Sequence, residues 1–257
     1  MIIQTYQMVI HQAVSTRLLV FVFFSTMCSY NFHWYLTQTS LNRSIRIQWT
    51  HHHKGWHLLL TIVSMVGAGI SFITLSQYWL AMLFGAFVTF LYSAPKLPHP
   101  FFKELKRIAI GKTLFLAFVW MYVTTLLPVV VAGAGWGSEL VLYALGRFFL
   151  IYAICILFDY RDRQDDKHDG IKSLVTLLGE KGINLLFTSS LLLFALTTTL
   201  LFRKHFAWFP LTIQLLPGVI TGALYPYAKR NFSDYLYYFV LDGLMMFSGL
   251  LMLVCRI

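Results

Sequence analysis

The chain has 257 residues, of which 58% are hydrophobic and only 12% charged. A water-soluble domain typically carries about 25% charged residues, so this composition excludes a soluble globular surface. A formal net charge of +10 would suggest nucleic acid in a soluble protein. Here the Lys and Arg sit between apolar runs, where positive-inside placement accounts for them without a nucleic-acid partner.

The apolar residues come in long continuous runs, as at 114–134 and 183–202. Runs of about 20 such residues span a hydrocarbon core as helices. Residues 1–12 are apolar but too short to cross, and read as a half-helix. Spans follow at 17–39, 57–75, 78–94, 112–132, 139–158, 183–202, 207–226 and 234–255. The expected fold is therefore an all-α polytopic transmembrane bundle, with about eight spans plus the N-terminal half-helix. No linker or low-complexity segment divides it, so 1–257 reads as one domain. No basic n-region with a cleavage site opens the chain, so no signal peptide is expected. Cys28, Cys155 and Cys255 lie in apolar segments without metal-ligand spacing, and read as small apolar fillers.

Loops 40–56, 95–111, 159–182 and 227–233 are the longer ones and, counted with Lys112, hold most of the 20 Lys and Arg. The bias places them on the cytoplasmic side. A bacterial cytoplasmic membrane is the expected location.

Half of the ten acidic residues fall within 159–169, at the end of the 139–158 span. Asp159, Asp162 and Asp166 have i, i+3, i+7 spacing and share one face if the helix continues. Three such carboxylates repel one another unless a cation lies among them. Mg²⁺ commonly bridges protein carboxylates to substrate phosphates. Arg161 and Arg163 on the same turns can meet phosphate or neutralise the cluster. The alternative is a solvated, charge-mixed loop.

The string DYRDRQDDKHDGIKSLVTLLGEKG resembles the second aspartate motif of the UbiA superfamily of intramembrane prenyltransferases. Asp159, Asp162 and Asp166 fall on the motif's aspartates, and Gly170, Lys172, Ser173 and Gly179 on its tail. The upstream string LYSAPKLPHPFFKELKRIAIGKTLFLAFVW is similar to the family's Tyr-Ser-x-Pro turn and following basic element, through Tyr92, Ser93, Pro95, Lys106, Arg107 and Lys112. The resemblance implies a prenyl diphosphate, its tail between helices open to lipid, with Mg²⁺ on the carboxylates. It further implies that Asn31, Tyr92, Lys106, Arg107, Lys112, Arg161 and Lys172 contact the diphosphate. Metal and cationic side chains then stabilise the leaving group.

One half of the family pattern is missing. The first motif, Asn-x-x-x-Asp-x-x-x-Asp, aligns with YNFHWYLTQTSLNRS. Asn31 is present, but Tyr35 and Thr39 occupy the aspartate positions. No register shift helps, because residues 1–103 contain no Asp or Glu. His33, His51, His52, His53 and His57 lie in the same region, with His53 and His57 at i, i+4. Imidazole suits zinc better than magnesium; the alternative is a wet polar loop or a phosphate-contacting edge. The span that precedes the first motif in the family is represented only by residues 1–12, which resemble its second half.

Two charges fall inside spans. Arg147 lies about 18 Å from Asp159 along its helix, and Asp242 about 12 Å inside its own. Such charges pair with one another or with carbonyls, or line a cavity. Two functions are open. One is a divergent prenyltransferase that moves an isoprenyl group from a prenyl diphosphate to an acceptor. The other is a catalytically impaired protein of the same fold that binds an isoprenoid or another lipid phosphate.

Overall fold

In the computed structural model, the described residues are 1–36, 49–50, 52–93, 112–168, 173–203 and 208–255, without the side chains of 92, 93 and 112. They contain helices and no strands. Helix α1, Ile2–Thr5, continues into a π turn at Tyr6–Ile10 and stops at His11, which takes a left-handed conformation. Next come α2, Thr16–Leu36, α3, Lys54–Thr74, and α4, Trp79–Ser93. Helix α5, Lys112–Met121, passes through a π turn at Tyr122–Leu126 into α6, Leu127–Ala132. Then follow α7, Ser138–His168, the short α8, Leu174–Leu177, α9, Glu180–Phe202, and α10, Trp208–Ala228. A π turn at Leu236–Leu241 leads into α11, Asp242–Cys255.

Six of these segments are long and apolar enough to cross a membrane: Lys54–Thr74, Thr113–Ala132, Ser138–His168, Glu180–Phe202, Trp208–Ala228 and Leu236–Cys255. Helix α2 matches them in length at 21 residues. It is less apolar because Ser29, Asn31 and His33 interrupt its second half. The apolar stretch Ser76–Leu91 is shorter. The expected all-α polytopic bundle is thus observed, with a span count near that read from the sequence.

The helices divide into two compact units, α1 with α5–α11, and α2–α4. In the first, α7 is the inner helix. From Leu150 to Leu157 no residue is more than 5% exposed. An apolar stretch buried on every side has no polar face to pattern, which is why it reads as a continuous run. Helices α5, α9, α10 and α11 pack around it. Helices α9 and α10 approach closely where a Cβ on Gly218 would strike the Phe194 ring, the small-residue contact typical of membrane helices. Pro217 and Pro226 lie inside α10. The Thr221 hydroxyl donates to the Pro217 carbonyl at 2.7 Å, an i−4 back-bond that keeps a buried hydroxyl satisfied within its own helix.

In the second unit, α2 and α3 pack on each other. A Cβ on Gly67 would come within 2.7 Å of the Phe24 ring, so only glycine permits this approach. Ile62, Val66, Ile70 and Ile73 of α3 are exposed, as on a helix whose solvent is hydrocarbon. Cys28 is half-buried, Cys155 buried and Cys255 exposed, and none of them is in a disulfide.

Candidate functional site

Helix α7 does not end at the end of its apolar run. It continues as one helix to His168 and carries Asp159, Asp162 and Asp166 on its extension. At about 100° per residue, these three positions lie within roughly 60° of arc. Each carboxylate meets a different environment. Asp159 is 6% exposed and accepts a hydrogen bond from the Thr113 hydroxyl, one residue past Lys112 in the first turn of α5. Asp166 is buried in the last turn before His168. Asp162 is more open and is held by Arg161, with Nε to Oδ1 at 2.7 Å and Nη2 to Oδ2 at 3.2 Å.

Arg161 is itself caged. Its guanidinium carbon lies 5.2 Å from the ring centroid of Phe158 and 4.8 Å from those of Tyr237 and Tyr238. Nη2 also donates to the Tyr238 hydroxyl at 2.8 Å. Nη1 is buried and has no hydrogen-bond partner among the described residues. A guanidinium favours this setting because it is planar, weakly hydrated and always charged. Its in-plane bonds go to the carboxylate and the phenol, and its faces to rings.

Arg163 takes neither of the roles read from the sequence. It donates to Glu180 at 2.8 Å and to the Leu178 carbonyl at 2.7 Å. Glu180 also accepts from Lys229 at 2.7 Å and from the Tyr160 hydroxyl at 3.2 Å. Lys229 lies over the rings of Tyr160 and Tyr225 and reaches Asn184 at 3.1 Å. Partial burial opposes the Lys229 ammonium, but the Glu180 hydrogen bond and nearby tyrosines outweigh it and hold the amine above its ordinary value. The network ties the α7 extension to the start of α9 and the segment after α10. Ser173 and Thr176 form a reciprocal capping box that starts α8 between them.

In the α2–α4 unit, the Asn31 amide donates to the Met27 carbonyl at 2.8 Å, and its oxygen lies 2.9 Å from His57 Nδ1. Tyr35 is exposed. Of the other expected contacts, Thr39, His51, Lys106, Arg107 and Lys172 lie outside the described residues, as do the side chains of Tyr92 and Lys112.

Arg147 sits deep in the first unit, 8% exposed. Its Nη1 donates to Thr5 Oγ1 at 2.8 Å, the Thr124 carbonyl at 2.9 Å and Thr125 Oγ1 at 3.1 Å. Its Nη2 reaches Gln4 Oε1 at 2.8 Å, the Met1 carbonyl at 3.3 Å and the Tyr143 hydroxyl. Of the expected pairings, the one with carbonyls is present, extended by hydroxyls and an amide. Both π turns that flank it matter, since a π turn loosens the regular helical ladder. Thr124 lies in one of them, and Thr5 immediately precedes the other. A cavity of about 30 Å³ adjoins it, lined by Gln4, Tyr143, Thr198, Gln214 and Ser248 among others. That is room for a water, with polar partners to hold it.

Among the described residues, no three His, Cys, Asp or Glu side chains gather closely enough to form a ready metal cage. The oxygen donors of the α7 extension fit Mg²⁺ chemically. Mg²⁺ is usually held by one or two carboxylates with substrate phosphates and water completing its shell. Sequence reasoning missed Thr113, Tyr238 and Glu180. Thr113 and Glu180 each had a signal, a place beside Lys112 and beside Gly179, whereas Tyr238 had none within its own segment.

Against this geometry stands one match. A sequence model of the UbiA prenyltransferase family matches residues 51–247. Comparisons with curated proteins and with solved structures return no match.

Proposed function

Because this chain belongs to the UbiA prenyltransferase family, an intramembrane family whose members generally use Mg²⁺ through aspartate motifs, we propose that it transfers an isoprenyl group from a prenyl diphosphate to an acceptor in the membrane. The carrying observation is the α7 extension, a single helix that leaves its apolar run with Asp159, Asp162 and Asp166 on one face and Arg161, on the same turns, paired with Asp162. On this reading the chain acts as one functional domain, with the aspartate-bearing segment on the cytoplasmic side.

Asp159 and Asp166 are the proposed carboxylates toward the metal, and Asp162 joins them when Arg161 releases it. Mg²⁺ bound there would neutralise the diphosphate and ease its departure. Arg161, with Lys112 and the basic residues at 107 and 172, would hold the diphosphate oxygens by charge-assisted hydrogen bonds. The apolar surfaces around α7 keep water from the allylic carbon.

Incubation of the purified protein with labelled prenyl diphosphates and a membrane lipid extract tests this. Mg²⁺-dependent release of diphosphate with label moving into lipid is expected, and its loss in Asp159→Asn and Asp166→Asn. No release under any of these conditions would overturn the transfer reading.

One observation favours a second reading. Residues 1–103 hold no Asp or Glu, so the carboxylates of the family's first motif have no counterpart there. A protein that retains an isoprenoid or lipid phosphate without turnover would show saturable binding of a non-hydrolysable prenyl diphosphate analogue and no product.

A further inference from the structure

We infer that the α2–α4 unit carries a binding site for a zinc-class divalent cation, with His53 and His57 as its imidazole ligands. The proposal goes beyond the prenyl-transfer reading and stands independently of it.

The inference begins with the Asn31 amide. Its nitrogen donates to the Met27 carbonyl, which can only accept. The amide orientation is therefore settled by its own hydrogen bond, and Asn31 Oδ1 can only accept as well. His57 Nδ1, 2.9 Å from that oxygen, must carry the proton. In the neutral ring the lone pair then sits on Nε2. His57 Nε2 is buried and has no hydrogen-bond partner among the described residues. A buried acceptor left unmet costs free energy, so this nitrogen needs a hydrogen-bond donor or a cation.

His53 repeats the pattern independently. Its Nδ1 lies 2.7 Å from the Trp49 carbonyl, which again can only accept, so its Nε2 also carries the lone pair. The His57 backbone N–H bonds to the His53 carbonyl at 3.3 Å, so the two residues lie one helical turn apart on one face, with Cβ atoms about 5–6 Å apart. Trp49 contacts both rings, stacked on His53 at 4.2 Å and edge-on to His57 at 6.2 Å. Two histidines at i, i+4 with both Nδ1–H groups donated to oxygen acceptors keep both Nε2 lone pairs available on one helical face, the spacing by which paired histidines hold one metal. The acceptors play the orienting part that outer-shell oxygens play in zinc sites. Imidazole nitrogen selects zinc, nickel or copper over magnesium, so this cation is distinct from the Mg²⁺ proposed for the α7 extension. Two imidazoles are fewer than the three protein ligands of a catalytic zinc site, so water would complete the shell and the affinity would be modest.

The test uses the full chain without a polyhistidine tag, purified in detergent and stripped with chelator. Co²⁺ serves as the spectroscopic probe and Zn²⁺ as competitor, with no diphosphate present. One Co²⁺ per chain is expected, with the visible absorption of a low-coordinate nitrogen site, displaced by Zn²⁺ and not by Mg²⁺. His53→Gln and His57→Gln should each weaken binding by more than about tenfold, and Asn31→Leu, which removes only the orienting acceptor, by about tenfold. His52→Gln, at an exposed position, should leave it unchanged. Thermal melting of each variant separates lost folding from lost ligation, and Asn31→Leu removes no ligand. Absence of bound Co²⁺, or equal loss in His52→Gln and His57→Gln, overturns the site. Because no substrate enters this experiment, its failure leaves the transfer reading untouched, and a failed transfer assay leaves this site standing.

Discussion

The Thr113 hydroxyl donates to the Asp159 carboxylate across 46 positions of sequence. This bond joins the start of α5 to the first aspartate of the α7 extension, and it places the residue after Lys112 against the proposed metal ligand. A hydrogen bond to a charged, buried acceptor contributes about 1.5–3 kcal/mol. Thr113→Val should therefore lower stability by that order. It should also weaken Mg²⁺-dependent binding of a prenyl diphosphate analogue, because Asp159 loses its fixed orientation. Thr113→Ser should restore most of both. Thermal melting in detergent and calorimetric titration measure the two effects separately.

Arg161 holds Asp162 with two hydrogen bonds while its faces meet three aromatic rings. Lysine offers one point charge and no planar fork, so Arg161→Lys is not conservative here. Analogue affinity should fall about tenfold or more in Arg161→Lys. Tyr238→Phe, which removes one bond and keeps the ring, should have a smaller effect. Equal affinity in wild type and Arg161→Lys would show that this arginine is structural only.

Arg147 gathers acceptors from α1, the π turn after α5 and its own helix. Arg147→Met would leave several of them buried without a donor, each costing about 1–3 kcal/mol. Loss of folded protein, or a large drop in melting temperature in detergent, is expected. Thr5→Val should destabilise by about 1 kcal/mol, since it removes one acceptor among several. A stable Arg147→Met variant with altered acceptor preference would instead assign this arginine to substrate contact.

The string YNFHWYLTQTSLNRS resembles the family's first motif, with Tyr35 and Thr39 at its aspartate positions. Neutral oxygens bind a hard cation less strongly than carboxylates do. The double variant Tyr35→Asp, Thr39→Asp should raise Mg²⁺-dependent analogue binding relative to wild type. Unchanged affinity with Mg²⁺ saturating would mean that these two positions take no part in metal binding.

The segments containing Arg46, Lys106, Asp162 and Lys229 should label from the cytoplasmic side only, because basic residues resist translocation. Single cysteines placed there, in a chain without Cys28, Cys155 and Cys255, report this with a membrane-impermeant reagent. Labelling of any one of them from the opposite side would overturn the orientation.

Hydropathy and local charge sufficed to read the membrane class, the approximate spans, the aspartate-bearing segment and the absence of carboxylates from residues 1–103, because each is a property of neighbouring residues in one dimension. Periodicity also put Asp159, Asp162 and Asp166 on one face, provided the helix continued, and α7 continues to His168. Periodicity names a face but never the neighbour that face will meet. Only tertiary packing brought Thr113 to Asp159, Tyr238 to Arg161 over 77 positions and Thr5 to Arg147 over 142. It also turned Arg163 from the aspartate cluster to Glu180. In a low-dielectric interior a buried donor or acceptor must find a partner, and the partner is chosen by which helices lie side by side, a choice that no single segment of this sequence encodes.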